Sequence, residues 1–256
     1  GYYECIGAGG SSDRAVTFGA GSGSTPAGIA NNGTGALEFS GTFSYLSGAG
    51  SAKTLLLGGS YAGTNSISSV LSDGSGGGTL ALTKEGTTTW ALTGQSTYTG
   101  GTTVNDGTLE LSGGANRIDG ALTVDGSGIV KVSNGAHNNL DTIDSITLQN
   151  GGTLTDNSGG TWVQSVNMPF TFNNGGTLTS EPGTDGNGDW GNFLFGSTFS
   201  VTGTGLATIS ANGMGFSWAK TLTVADTVAG EDTDLLISSS IRHDREGTVT
   251  KAGAGT

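Results

Sequence analysis

An apolar, polar, apolar triplet centred on Thr or Ser keeps returning along the chain: Leu122-Thr123-Val124, Ile146-Thr147-Leu148, Phe170-Thr171-Phe172, Phe199-Ser200-Val201 and Leu222-Thr223-Val224. The third residues follow one another at steps of 24, 24, 29 and 23. Alternation of this kind belongs to a strand with one buried and one wet face. Second short strands follow after glycine-containing corners, at Gly107 to Leu111, Gly128 to Val132, Gly152 to Leu154 and Gly176 to Leu178. Asn-Gly pairs at Asn134, Asn150, Asn174 and Asn212 mark turns, because both residues accept the left-handed conformation. Such pairs also fit antiparallel hairpins, but a meander returns after about 8 to 12 residues and one circuit of a β-helix takes about 20 to 25. The period therefore predicts an all-β fold, a single-stranded parallel β-helix (solenoid). It runs as one continuous segment over residues 1–256, with roughly 11 coils stacked at about 4.8 Å.

Composition narrows the alternatives. Only 33% of the 256 residues are hydrophobic and 50 are Gly, which suits a thin column with many tight corners better than a thick helical core. The formal charge of −12, without a basic cluster, argues against a nucleic-acid surface and against anionic polysaccharide, and leaves neutral glycans as partners. Cys5 stands alone, so no disulfide closes within the chain. No apolar run of about 18 residues provides a transmembrane segment, and Gly1 to Gly10 lacks the pattern of a signal peptide, which places any export signal outside these residues.

Residues 67–111 carry a more specific pattern. It runs Ile67-Ser68-Ser69-Val70-Leu71-Ser72-Asp73-Gly74, Leu80-Ala81-Leu82-Thr83-Lys84-Glu85-Gly86 and Trp90-Ala91-Leu92-Thr93-Gly94, then Tyr98-Thr99-Gly100-Gly101-Thr102-Thr103-Val104 and Asn105-Asp106-Gly107-Thr108-Leu109. This stretch resembles the autotransporter-associated β-strand repeat of bacterial passenger domains. The resemblance implies a right-handed parallel β-helix, export across the envelope, an extracellular or cell-surface location and no catalytic residue. Residues 112–236 read as divergent coils, and 237–256 as the start of a second, truncated signature repeat, in which Val249-Thr250-Lys251 matches Leu82-Thr83-Lys84 at a shift of 167. Gly35 to Phe39 reads as a divergent coil within residues 1–60. The function expected is a non-catalytic structural or adhesive stalk. A filament-forming subunit, joined end to end through unpaired terminal coils, and a polysaccharide-active β-helix are the alternatives.

Candidate sites are few. Asp185, Asn187 and Asp189 offer oxygen ligands at alternate positions, as a loop wrapping Ca²⁺ does, although Trp190 and Gly196 stand where an EF-hand loop needs Gly and Glu. Trp190 and Phe193 present aromatic faces for a glycan, whereas the alternation of Phe193 and Phe195 favours interior packing. Trp90, Trp162 and Trp218 read as packing residues. Arg242-His243-Asp244-Arg245-Glu246 aligns with the variable turn at Ser72 and reads as a solvated loop; Asp141 and Asp144 sit in a polar turn, and His137 has no nucleophile beside it. No catalytic residue and no cofactor is expected; Asp185 to Asp189 reads first as a plain acidic turn, with Ca²⁺ binding as the lesser alternative.

Overall fold

The computed structural model describes residues 1–18, 26–45, 51–114, 117–133, 140–159, 163–181, 192–225, 233–243 and 248–256. Within them there are only strands, with no helix, and every strand pairing is parallel. One sheet has eleven strands, from Tyr2–Cys5 to Val249–Ala252, and a second has ten, from Gly10–Ser12 to Leu235–Ile237. Their strands alternate along the chain, so each circuit lays one strand on each sheet. This is the expected parallel β-solenoid, and its eleven-stranded sheet agrees with the coil count read from the period.

The triplets stack in register. Leu122 pairs with Ile146, Ile146 with Phe170, Phe170 with Phe199 and Phe199 with Leu222. The outer residues of each triplet are buried while Thr123, Thr147, Thr171 and Ser200 are only partly covered. The alternation in the sequence is thus the alternation between the inside of the column and its flank. The second strands do the same: Leu109, Val130, Leu154 and Leu178 form an inward column with no exposed surface. Glu110 and Lys131 occupy adjacent outward positions of opposite charge.

Leu82, Thr102 and Leu122 are stacked partners 20 residues apart, and those tight circuits carry two strands each. A third face is present in the first two circuits, as Val16–Phe18 and Phe43–Tyr45, and again from Gln164–Val166 onward, continued by Phe193–Phe195, Gly213–Phe216 and Ser240–His243. Circuits with this third strand run from 23 residues, between Phe199 and Leu222, to 29, between Phe170 and Phe199. The wider section is filled with aromatic rings: Phe170 stacks on Phe199 at 5.8 Å, and Phe195 meets both edge-on at 5.4 and 5.3 Å.

One corner repeats above itself at Gly126, Asn150, Asn174 and Gly203, with φ of 58°, 52°, 59° and 80°. The amides of Gly126, Asn150 and Asn174 donate to the carbonyls of Gln149, Asn173 and Thr202 on the next coil. Asn-Gly at two of these positions therefore supplies left-handed corners of a solenoid and no hairpin. Asn212 instead leads into Gly213–Phe216, its amide bound to Ser180 Oγ, and Asn134 lies outside the described residues. Trp90 is buried, as expected, but Trp218 is not a packing residue: it occupies a corner with φ 68° and is 58% exposed, because the strand has ended at Phe216. Trp162 lies outside the described residues.

Candidate functional site

The motif residues of the 67–111 stretch are joined by a set of specific contacts. Asp73 Oδ1 accepts from the amides of Leu80 and Thr99 at 2.8 and 3.0 Å, and Oδ2 accepts from Thr99 Oγ1 at 2.7 Å. Burial opposes the charge on Asp73, yet these hydrogen bonds hold its carboxyl below the usual range. Trp90 Nε1 donates to the Gly58 carbonyl on the preceding circuit. Tyr98, fully buried, shares a 2.6 Å hydrogen bond with Thr102 Oγ1, and burial pushes its phenol up. A side chain at Gly100 would meet the Leu80 carbonyl at 2.4 Å, and Gly101 has φ 81°, so the Gly-Gly pair is demanded by close backbone approach.

Lys84 is the least expected member. It occupies an inward column position, paired with Leu57 on one side and Val104 on the other, and has no exposed surface. Its Nζ donates to the carbonyls of Glu85, Gly86 and Asp106 at 2.9, 2.6 and 2.9 Å, so all three ammonium protons are used. Burial lowers its pKa to about 8, against the attraction of Asp106 and Glu85. Lys251 repeats part of the contact, donating to Gly253 two residues on, as Lys84 does to Gly86.

Outside the column, a ladder of amides climbs the corner of Asn150 and Asn174. Gln149 Nε2 and Asn150 Nδ2 donate to Asp125 at 2.9 and 2.8 Å, and Asn174 Nδ2 donates to Asn150 Oδ1 at 2.7 Å. Asn174 Oδ1 in turn accepts from Thr204 Oγ1 at 2.8 Å. The hydrogen bonds from Asn150 and Gln149 keep the Asp125 carboxyl low. Sequence reasoning took these Asn residues as turn formers alone. The missed signal is the recurrence of an amide pair, Gln149-Asn150 and Asn173-Asn174, after successive triplets.

A second polar group lies inside. Asp156 follows Val132 in an inward column and is fully buried, its Oδ1 accepting from the Ser158 amide at 3.1 Å and its Oδ2 from Asn192 Nδ2 at 3.0 Å. Burial raises its pKa despite those hydrogen bonds. The folded chain therefore takes up this proton before the unfolded chain does on acidification. The Asp156 contribution is complete below the ordinary carboxyl value of 3.8 and is lost as pH rises through the higher folded value. Thermal melts of the parent and of Asp156→Asn from pH 7 to pH 4 should show the parent gaining stability relative to the variant as pH falls. A gap that moves the other way would mean the carboxylate is stabilised by its donors more than burial penalises it.

Most of the sites expected from the sequence fall outside the described residues. Asp185, Asn187, Asp189 and Trp190 lie outside the described residues, as do His137 and Asp244 to Glu246. Phe193 is in place on the third face but fully buried, paired with Gln164 and Met214, and so offers no ring face to a sugar; the packing reading of its alternation with Phe195 is the one the fold realises. Asp141 is exposed, and partial burial raises its pKa from the ordinary carboxyl value. Among the described residues no three His, Cys, Asp or Glu side chains converge as metal ligands, and no helix is long and apolar enough to cross a membrane.

Fold and contacts together define a parallel β-solenoid built on a repeat whose polar residues are spent on joining one coil to the next. Residues 82–111 and 106–132 match the passenger-associated-transport-repeat family. Residues 82–132 thus carry repeats of the autotransporter-passenger type, with the match reaching past Leu111 into coils that the sequence motif alone did not single out. The adhesin BmaC autotransporter of Brucella suis biovar 1 is 38% identical over 122 residues, which are 47% of this chain and 3% of that protein. This chain therefore spans only a small fraction of that relative's length. No solved structure matches it.

Proposed function

We propose that this chain is a stretch of the surface-displayed stalk of an autotransporter-type adhesin, structural along its length and adhesive at particular flank positions. The observation that carries this reading is the parallel stack of eleven strands with inward apolar columns and a flank of Thr, Ser and amide side chains, in a chain bearing passenger-type repeats. A column of this kind projects by stacking, each coil supporting its neighbours, and needs no reacting group. Its charge of −12 keeps a long exposed rod soluble. Adhesion is named for the similar protein, and it is the reading that makes most use of a long lateral surface.

The test is to place residues 1–256 between an export signal and an outer-membrane barrel in a Gram-negative host. The expected result is antibody-accessible segment on intact cells and slow cleavage by added protease. Retention in the periplasm, or rapid cleavage throughout the segment, would overturn the stalk reading.

A further inference from the structure

We propose that the flank formed by Tyr2, Asn32, Ser60 and Glu85 is a binding subsite for a neutral saccharide, which names a ligand class for the adhesive part of the reading above. The site is open, about 400 Å³, and lies on the outside of the eleven-stranded sheet, reaching from its first strand across the next three. It is built across four successive strands of that sheet. Tyr2, Gly28, Leu56 and Thr83 are register partners in turn, so the Tyr2 side chain starts one coil above Gly28. Because Gly28 has no side chain, the ring lies directly on it: a Cβ there would sit 2.3 Å from Tyr2 Cδ2. The hydroxyl end reaches two coils down, 3.9 Å from where a Gly58 Cβ would be. Tyr2 is nonetheless 64% exposed, so the ring is propped on glycine with much of its surface free.

Beside the ring runs a polar rail. Asn32 Nδ2 donates to Glu4 Oε1 at 2.7 Å, and Asn32 Oδ1 accepts from the amide and Oγ of Ser60 at 3.0 and 3.1 Å. These contacts fix the amide between its neighbours on the coils above and below. Glu85 and Thr87 complete the wall, with Leu56 and the bare backbone of Gly58, Gly59 and Gly86 as the floor. A sugar ring has apolar C–H faces and a rim of hydroxyls that both donate and accept. An aromatic face beside a fixed row of amide, hydroxyl and carboxylate groups is complementary to that pattern. The glycine floor lets the ring approach the backbone, and Leu56 adds apolar contact. Glu85 in the wall and Glu4, bound to Asn32 beside it, on a chain of charge −12, select against uronates and other acidic sugars.

The experiment titrates the purified 256-residue chain with neutral tetrasaccharides of glucose, mannose, galactose and N-acetylglucosamine, with tetragalacturonate and a lysine-rich peptide as competitors of other chemistry, followed by calorimetry and by NMR shift mapping. Expected is binding of at least one neutral tetrasaccharide, with shifts at Tyr2, Ser60 and Glu85, and no comparable binding of the uronate. Tyr2→Ala should weaken it by about tenfold, equivalent to about 1.4 kcal/mol, while Tyr2→Phe stays within about threefold. Asn32→Ala should weaken it as well. Tyr2 is a surface residue, so an unchanged melting temperature in Tyr2→Ala separates lost contact from lost fold. The proposal is overturned if no neutral tetrasaccharide binds, if binding is indifferent to Tyr2→Ala, or if only the peptide or the uronate binds. None of those outcomes touches surface display, which is measured separately.

Discussion

Replacing Phe199 by Ala should destabilise the wide end of the solenoid by about 4 kcal/mol, within the range for emptying a buried aromatic site. Phe199 is almost fully buried and touches three other rings, Phe170, Phe172 and Phe195, at centroid distances of 5.8, 5.7 and 5.3 Å. Its stacked neighbours are Phe170 below and Leu222 above, so truncation opens a hole in the middle of a column that cannot slide shut without breaking register. Phe199→Leu keeps most of the volume and should cost less than about 1.5 kcal/mol. Because each coil contacts mainly its neighbours, the loss should be local. Hydrogen exchange is the discriminating measurement: amides of Phe193–Phe195, Gly213–Phe216 and Lys220–Val224 should lose protection in Phe199→Ala while those of Thr102–Leu111 keep theirs. Uniform loss of protection along the chain would show that the solenoid unfolds as one unit and that nearest-neighbour reasoning does not apply to it.

The part of this architecture that sequence discloses is the part set by side-chain alternation and by circuit length. A Thr or Ser between two apolar residues, returning after a full circuit, leaves few options for where those residues point, and the stacked pairs from Leu122 to Leu222 follow directly. Long-range polar contacts are less legible, because they depend on which residues of different circuits come level. Asn31 donates to Asn65 at 2.6 Å and Asn65 to Thr88 at 3.0 Å, a buried chain across three circuits whose members are 34 and 23 residues apart and share no local pattern. Tyr2 was opaque for the same reason: nothing near it in sequence indicates Gly28 and Gly58 as its bed. Trp218 misled because an isolated Trp in a chain poor in large residues is ordinarily core, whereas its left-handed corner turns it outward. Lys84 fits the repeat pattern, but its burial contradicts the rule that Lys stays wet unless paired. It becomes intelligible once three carbonyls are found around its Nζ.

That arrangement makes Lys84→Met the second large effect. The substitution keeps length and apolar volume but leaves the carbonyls of Glu85, Gly86 and Asp106 facing a side chain that cannot donate. An unsatisfied buried acceptor costs about 1 to 3 kcal/mol, and removing the ammonium recovers part of its desolvation, so a net loss of about 3 to 5 kcal/mol is expected at pH 7. The pH dependence separates this from simple misfit. The pKa of Lys84 is about 8 in the folded chain against an ordinary 10.5, so between these values the unfolded chain holds more protons and the stability of the parent rises with pH. Met has no such term. Urea unfolding of both proteins at pH 7 and pH 9.5 should therefore show the gap between them widening by about 2 kcal/mol at the higher pH, with tyrosine titration common to both. Lys84→Gln, which retains two donor hydrogens, should fall between parent and Met variant at pH 7. If the gap stays flat across that interval, the ammonium keeps its ordinary affinity for protons and its carbonyl cage offsets the cost of burying it.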